Sequence, residues 1–241
     1  MRRTLNEVYR QCQKAAEGAG VPAGLDIEVA QATAWLVARG LPAFDSLIQG
    51  LGRASDRQAF CFSEVASGDP LNATNKEGAL IAPALVDLVV ANAGETVGRL
   101  AVGSLCAALY LLPAAARYAS DGWCFHFELL GAGGVAFQLQ VEPDAGVSIA
   151  ATRDGDVTAL EGISGLDVQA CCTRSIDALP NRDESSTTIL ADAASLAEVE
   201  AKTLGNGVEV ESETWDLLTT FALKVLVPAT EESRQRGAGG A

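Results

Sequence analysis

Residues 123–141 read WCFHFELLGAGGVAFQLQV, and they give the clearest indication of the fold class. Aromatic residues alternate with other residues through 123–130, which is the period-two pattern of a strand with one buried face. The glycine-rich segment GAGG follows at 131–134, and apolar residues alternate again through 135–141. Two alternating segments joined by a short glycine-containing turn predict a β-hairpin.

Further short apolar segments follow the hairpin and are separated by turn residues. The sequences EPDAG at 142–146 and RDGD at 153–156 are typical of turns, and VQACCTR at 168–174 is a candidate strand. Residues 123–174 therefore predict an antiparallel meander.

Helical patterns flank this sheet region on both sides. Thr4 and Glu7 have the spacing of a capping box, and apolar residues then recur at helical spacing through the first fifty residues. Further helices are predicted at about 191–204 and from Ser212 onward. An N-terminal helical layer, a central antiparallel β meander and C-terminal helices together predict an α+β fold.

Length and composition favour one globular domain. The chain has 241 residues, of which 49% are hydrophobic and 20% charged, so a sizeable core is expected. We predict a single domain over residues 1–241. It divides into a helical N-terminal region at 1–52, an α+β body at 56–228 and a Ser/Arg/Gly tail at 229–241.

The charge balance excludes some classes of partner. Seventeen Lys and Arg residues stand against 31 Asp and Glu residues, which gives a net charge of −14. Such an acidic surface repels phosphate backbones and anionic lipid, so we expect no nucleic acid and no membrane partner. The six cysteines include no C-x-x-C pair, and no apolar targeting segment follows the N-terminus, so a cytoplasmic location is expected.

His126 is the only histidine of the chain. In the predicted strand it shares one face with Cys124 and Glu128, opposite the aromatic residues. A zinc site that uses Cys124 and His126 is one alternative, and ordinary packing of these side chains is the other. No cofactor is supported by a motif, since GAGG lies inside a hairpin and GLGRAS at 50–55 has no phosphate-binding lysine.

The segment VPATEESRQRGAGGA at 227–241 is the main candidate for a binding site. Arginine holds a carboxylate or phosphate with two parallel hydrogen bonds, and glycine lets backbone N–H groups approach a ligand closely. The candidate ligand-binding residues are Ser233, Arg234, Arg236, Gly237 and Gly239. Glu231 and Glu232 are weaker candidates for acid–base catalysis. A solvated chain end is the alternative interpretation.

Both ends of the chain resemble a family of uncharacterised bacterial proteins of about this length. The resemblance rests on LNEVYRQCQKAAEGAG at 5–20, on ATAWLVARGLP at 32–42 and on VPATEESRQRGAG at 227–239. The family carries a domain-of-unknown-function label. The resemblance therefore implies a soluble bacterial protein, and it supplies no activity, cofactor or catalytic residue. The chain departs from the family pattern at Leu226, where tyrosine is expected.

Three functions remain open on the sequence. The first is a cytoplasmic protein that binds or transforms a small anionic metabolite, with the C-terminal Ser-Arg-Gly segment in its site. The second is a non-catalytic homo-oligomeric or partner-docking accessory protein, and the third is a zinc-binding protein. The sequence does not establish whether the protein is an enzyme.

Overall fold

The computed structural model describes residues 1–56, 70–94, 96–131, 134–144, 146–151, 165–180 and 187–225. Within these residues, seven α-helices accompany a mixed sheet of seven strands and a separate two-stranded sheet. The α+β class and the helices at both ends are confirmed.

The elements have the following bounds. The helices are α1 (Leu5–Ala19), α2 (Leu25–Ala38), α3 (Phe44–Arg53), α4 (Gly78–Ala91), α5 (Leu111–Ala119), α6 (Ala193–Asn206) and α7 (Ser212–Ala222). The strands are β1 (Arg2–Arg3), β2 (Leu71–Asn72), β3 (Val97–Leu105), β4 (Cys124–Gly131), β5 (Gly134–Val141), β6 (Val147–Ala151), β7 (Leu166–Thr173), β8 (Thr188–Ala191) and β9 (Val208–Glu209).

The predicted capping box starts α1. The hydroxyl of Thr4 accepts the backbone N–H of Glu7 at 3.2 Å, and the Glu7 carboxylate accepts the backbone N–H of Thr4 at 2.8 Å. The two contacts satisfy donors that the first turn of a helix leaves unpaired. Gly20 ends α1 in the left-handed conformation, with a φ of 88°.

The large sheet has the strand order β2-β3-β7-β4-β5-β6-β8. The predicted hairpin is β4–β5, with Phe127 opposite Leu139. Strands β4, β5 and β6 follow one another as an antiparallel meander, but β7 does not continue it. It returns to the centre of the sheet and pairs with both β3 and β4. Its last four residues, 170–173, are all buried, and a strand covered on both faces suits a central position.

One face of the sheet forms the main core. Phe125, Phe127 and Leu129 of β4 are fully buried there, and the rings of the two phenylalanines lie 6.1 Å apart. The apolar segment 100–119 contributes β3 and α5 to the same core. In the part of the chain that the structure describes, none of the helices is long and apolar enough to cross a membrane.

The N-terminus of α4 lies against the connection between β3 and α5. A Cβ atom at position 78 would overlap the carbonyl group of Cys106, so only glycine fits there. Further along α4, Pro83 lies inside the helix. Proline has no N–H to donate, so the carbonyl of Ala79 lacks its usual partner four residues later.

Helix α7 packs along α1 and runs in the same direction. The amide of Gln11 donates to the hydroxyl of Thr219 at 2.9 Å. Gly18 lies about two turns further along α1, and the backbone of Phe221 is so close to it that a side chain at position 18 would overlap that backbone. The described chain therefore ends, at Val225, beside the C-terminal end of α1.

Candidate functional site

A cavity of about 200 Å³ lies between α2, α4 and α5. Each helix contributes residues spaced three or four positions apart, which places them on one helical face. The lining residues are Glu28, Gln31, Ala32 and Trp35 of α2, Ala79, Ala82 and Pro83 of α4, and Pro113, Ala114 and Arg117 of α5, together with Tyr110.

The walls of this cavity are apolar because the sequence places small residues where the three helices face one another. Ala79, Ala82 and Ala114 are almost fully buried, but their methyl groups do not fill the space between the helices. The polar lining residues Glu28, Gln31 and Arg117 reach solvent instead. The cavity therefore has an apolar interior and a charged mouth.

The mouth carries an ion pair between two helices. Arg117 Nη1 of α5 lies 2.9 Å from Glu28 Oε1 of α2. Both side chains are about two-fifths exposed, so water competes for each charge. Exposed pairs of this kind contribute roughly 0–1 kcal/mol. Opening this contact therefore costs little free energy.

Tyr118 lies on α5 beside Arg117 and carries a second polar contact. Its hydroxyl donates to Asp87 Oδ1 at 2.6 Å. This hydrogen bond, together with partial burial, raises the pKa of Tyr118 to about 12. The phenol therefore stays protonated well into the alkaline range, and its hydrogen bond to Asp87 ties α5 to α4.

The inner end of the cavity is fixed by a buried hydroxyl. Tyr110 is 1% exposed, and its hydroxyl donates to the carbonyl of Ala43 at 3.0 Å. The same hydroxyl lies 2.9 Å from that of Thr33 on α2. A buried hydroxyl with two partners is costly to disrupt, so this wall is held in one position.

The side wall at Trp35 is held by a contact from outside the cavity. The guanidinium of Arg39 lies 3.9 Å from the centre of the Trp35 ring, which is cation–π geometry. Arg39 also pairs with Glu200 of α6 at 2.8 Å. Through Arg39, α6 supports the indole that lines the cavity.

The predicted face of β4 is confirmed, but its metal site finds no support. Cys124 and His126 lie on the same face, and both are buried. His126 Nε2 is 3.4 Å from Glu128 Oε1, and Cys171 is its cross-strand neighbour on β7. Across the residues that the structure describes, no three His, Cys, Asp or Glu side chains form a group that could hold a metal ion.

The predicted tail site lies outside the described residues. This applies to Glu231, Glu232, Ser233, Arg234, Arg236, Gly237 and Gly239. The residues at the cavity mouth were not identified from the sequence. The pattern that marks them is the spacing of Glu28, Gln31 and Trp35 on α2, and amphipathic helices commonly show such spacing without lining a cavity.

Several solved structures with a similar fold are dehydrogenases. A dehydrogenase from Sinorhizobium meliloti has a TM-score of 0.63 at 15% identity, over 92% of this chain and 99% of that chain. Malate dehydrogenase from Pyrococcus horikoshii OT3 has a TM-score of 0.56 at 12% identity, over 94% of this chain and 96% of that chain. Sulfolactate dehydrogenase from Methanocaldococcus jannaschii has a TM-score of 0.54 at 11% identity, over 93% of this chain and 97% of that chain. At these identities the similarity concerns the fold alone.

Sequence comparison reaches only the N-terminal part of the chain. No curated protein matches this chain. Residues 3–77 match the family described as "Protein of unknown function (DUF3726)", which confirms the expected resemblance to a domain of unknown function.

Proposed function

We propose that the protein binds a small anionic metabolite in the cavity between α2, α4 and α5. The apolar body of the ligand occupies the cavity, and its anionic group pairs with Arg117. The observation that carries this proposal is the guanidinium of Arg117, which lies with Glu28 and Gln31 at the mouth of a cavity whose interior is apolar. Arginine presents a planar set of donors that fits a carboxylate or phosphate.

The dimensions of the cavity favour a compact ligand. A volume of about 200 Å³ is below the ~300–1,000 Å³ of pockets for drug-sized ligands. Walls of alanine, proline and tryptophan favour an aliphatic or aromatic body over a sugar or a nucleotide.

The structural neighbours support the same ligand class. Two of them are named for malate and sulfolactate, which are small anions that carry carboxylates. We extend only this ligand class to the present chain. The proposal concerns binding and assigns no reaction.

We further propose that the C-terminal segment contributes a second anion-binding group to this site. Val225 lies beside the C-terminal end of α1, and α2 begins a few residues beyond that end. Arg234 and Arg236 follow Val225 by nine and eleven residues, and an extended chain of those lengths spans up to ~30 and ~36 Å. The proposal is that this span brings them to the cavity mouth.

Calorimetric titration with a small branched carboxylate, 4-methylpentanoate, tests the proposal. We expect binding to the native protein and loss of binding in Arg117→Gln. Arg10→Gln is the matched control, because Arg10 is an exposed arginine on α1 that does not line the cavity. Equal binding by Arg117→Gln and the native protein would show that the cavity is not the anion site.

A truncated chain without residues 231–241 tests the tail. A severalfold weaker affinity for 4-methylpentanoate supports a contribution from Arg234 and Arg236. An unchanged affinity removes the tail from the site and leaves the role of Arg117 standing.

A second candidate function, a homo-oligomeric or partner-docking role, is favoured by exposed apolar side chains in the last part of the described chain. Leu204, Leu217 and Leu223 are 69%, 43% and 57% exposed. Exposed apolar side chains mark a surface that meets another protein where they form one contiguous patch. Sedimentation of the native protein and of Leu217→Glu tests this role, and a monomer in both cases excludes the homo-oligomer.

A further inference from the structure

We infer that the ligand of this cavity is a zwitterion, an α-amino acid with a small apolar side chain. The inference rests on the proposed function: the ligand keeps the carboxylate that pairs with Arg117, and it gains an ammonium group that makes it neutral overall. It follows from the two opposite charges at the mouth. Arg117 binds the carboxylate of the ligand, Glu28 binds its ammonium group, and the side chain enters the cavity.

The closeness of the two charges selects against ligands with a single charge. A simple carboxylate at Arg117 also meets the negative charge of Glu28, which lies 2.9 Å from the guanidinium. A simple amine at Glu28 meets the positive charge of Arg117 in the same way. An α-amino acid carries both charges on one carbon, so it presents the opposite sign to each side chain.

The native ion pair also makes the exchange favourable. Both side chains are partly exposed, so opening their contact costs little. The incoming zwitterion replaces one ion pair with two, and each new contact is a charge-assisted hydrogen bond. Gln31 lies at the same mouth, and its amide supplies a donor and an acceptor for the same two groups.

The interior of the cavity specifies the side chain of the ligand. The walls from α4 and α5 are the methyl groups of buried alanines and the rings of Pro83 and Pro113, and Trp35 lines the α2 side. A charged or amide side chain would lose its hydration there without compensation. A branched aliphatic side chain such as that of leucine suits the apolar walls and is small enough to enter a cavity of about 200 Å³.

Three probes with one carbon skeleton test this inference. L-leucine carries both charges, 4-methylpentanoate lacks the ammonium group, and 3-methylbutylamine lacks the carboxylate. Each is titrated calorimetrically into the native protein, Glu28→Gln, Arg117→Gln and the control Arg10→Gln. Thermal unfolding checks that every variant is folded.

We expect the native protein and Arg10→Gln to bind L-leucine at least about tenfold more tightly than either single-charge probe. In Glu28→Gln we expect the affinity for L-leucine to fall about tenfold and the affinity for 4-methylpentanoate to rise, because the repelling carboxylate is gone. In Arg117→Gln both carboxylate-bearing probes lose affinity.

The outcomes separate this inference from the proposed function. If 4-methylpentanoate binds the native protein as tightly as L-leucine, the zwitterion inference is wrong and the anion site stands. If Glu28→Gln binds L-leucine as tightly as the native protein, the role of Glu28 is likewise excluded. If neither carboxylate-bearing probe binds the native protein, both proposals fail.

Discussion

Arg117 and Glu28 are 89 positions apart in the sequence, and their side chains meet at 2.9 Å across the mouth of the cavity. The pair joins α5 to α2 at the point where the cavity opens. Because water reaches both groups, the contact contributes little to folding. The two charges therefore remain available to a ligand.

The first prediction follows from that exposure. We expect Glu28→Gln and Arg117→Gln each to lower the free energy of unfolding by less than about 1 kcal/mol. Urea unfolding of the two single variants and of the double variant measures the coupling between the side chains. A coupling energy well above about 1 kcal/mol would identify the pair as a structural tie and contradict its exchange with a ligand.

Position 78 provides a second prediction, with position 52 as its control. In Gly78→Ala the new methyl group overlaps the backbone carbonyl of Cys106, so we expect a loss of at least about 3 kcal/mol of stability. Gly52 lies inside α3 with open space around it. Gly52→Ala is therefore expected to stabilise the protein by about 0.5–1 kcal/mol. Similar stability in the two variants would mean that α4 does not approach Cys106 this closely.

Local patterns in the sequence predicted the elements that depend on neighbouring residues. The capping box at Thr4 and Glu7 and the β4–β5 hairpin form within short segments, so alternation and spacing identify them. The place of β7 between β3 and β4 depends on pairing between distant segments. Such pairing leaves no short-range signature, and the sequence order suggested a simple meander instead.

The cavity was not predictable for the same physical reason. Its charged mouth exists only after α2 and α5 have packed, since Glu28 and Arg117 are distant in sequence. Its volume results from what alanine side chains leave unfilled, and an alanine-rich helix face usually packs without a gap. Arginine beside glycine is a local pattern, so Arg234 and Arg236 could be named from the sequence as candidate anion-binding residues. Their role stays a prediction.

Tyr110 gives a third prediction, because its hydroxyl is buried at the inner end of the cavity. Tyr110→Phe removes the donor to the carbonyl of Ala43 and the neighbour of the Thr33 hydroxyl. We expect the free energy of unfolding to fall by about 1–3 kcal/mol, since buried polar groups lose their partner. Guanidinium unfolding measures the change. Native stability in this variant would mean that water or a shifted side chain replaces the hydroxyl.

The pKa of Tyr118 gives a prediction for alkaline pH. The hydrogen bond to Asp87 raises this pKa to about 12 in the folded protein, whereas an unfolded tyrosine has a pKa of about 10. The contribution to stability is therefore complete below about pH 10 and is lost as the pH rises toward 12.

Unfolding curves measured between pH 10 and pH 12 test this loss of stability, with Tyr118→Phe and Asp87→Asn as comparison variants. Tyr118→Phe should show a shallower loss of stability over this range than the native protein. Asp87→Asn keeps an acceptor but removes the carboxylate charge, so tyrosine absorbance should report a lower pKa for Tyr118. An identical pH dependence in all three proteins would contradict the contact with Asp87.

A larger side chain at Ala114 tests whether the cavity is both empty and functional. Ala114→Leu places apolar groups into the cavity, and each added buried CH₂ contributes about 0.8 kcal/mol, partly offset by side-chain entropy. We therefore expect about 1 kcal/mol of added stability together with loss of L-leucine binding. Ala115→Leu is the matched control on α5, because Ala115 is fully buried in the core and does not line the cavity. There the same change overfills a packed region and should cost about 1–3 kcal/mol while binding persists. If Ala114→Leu destabilises as much as Ala115→Leu and still binds L-leucine, the ligand does not occupy this cavity.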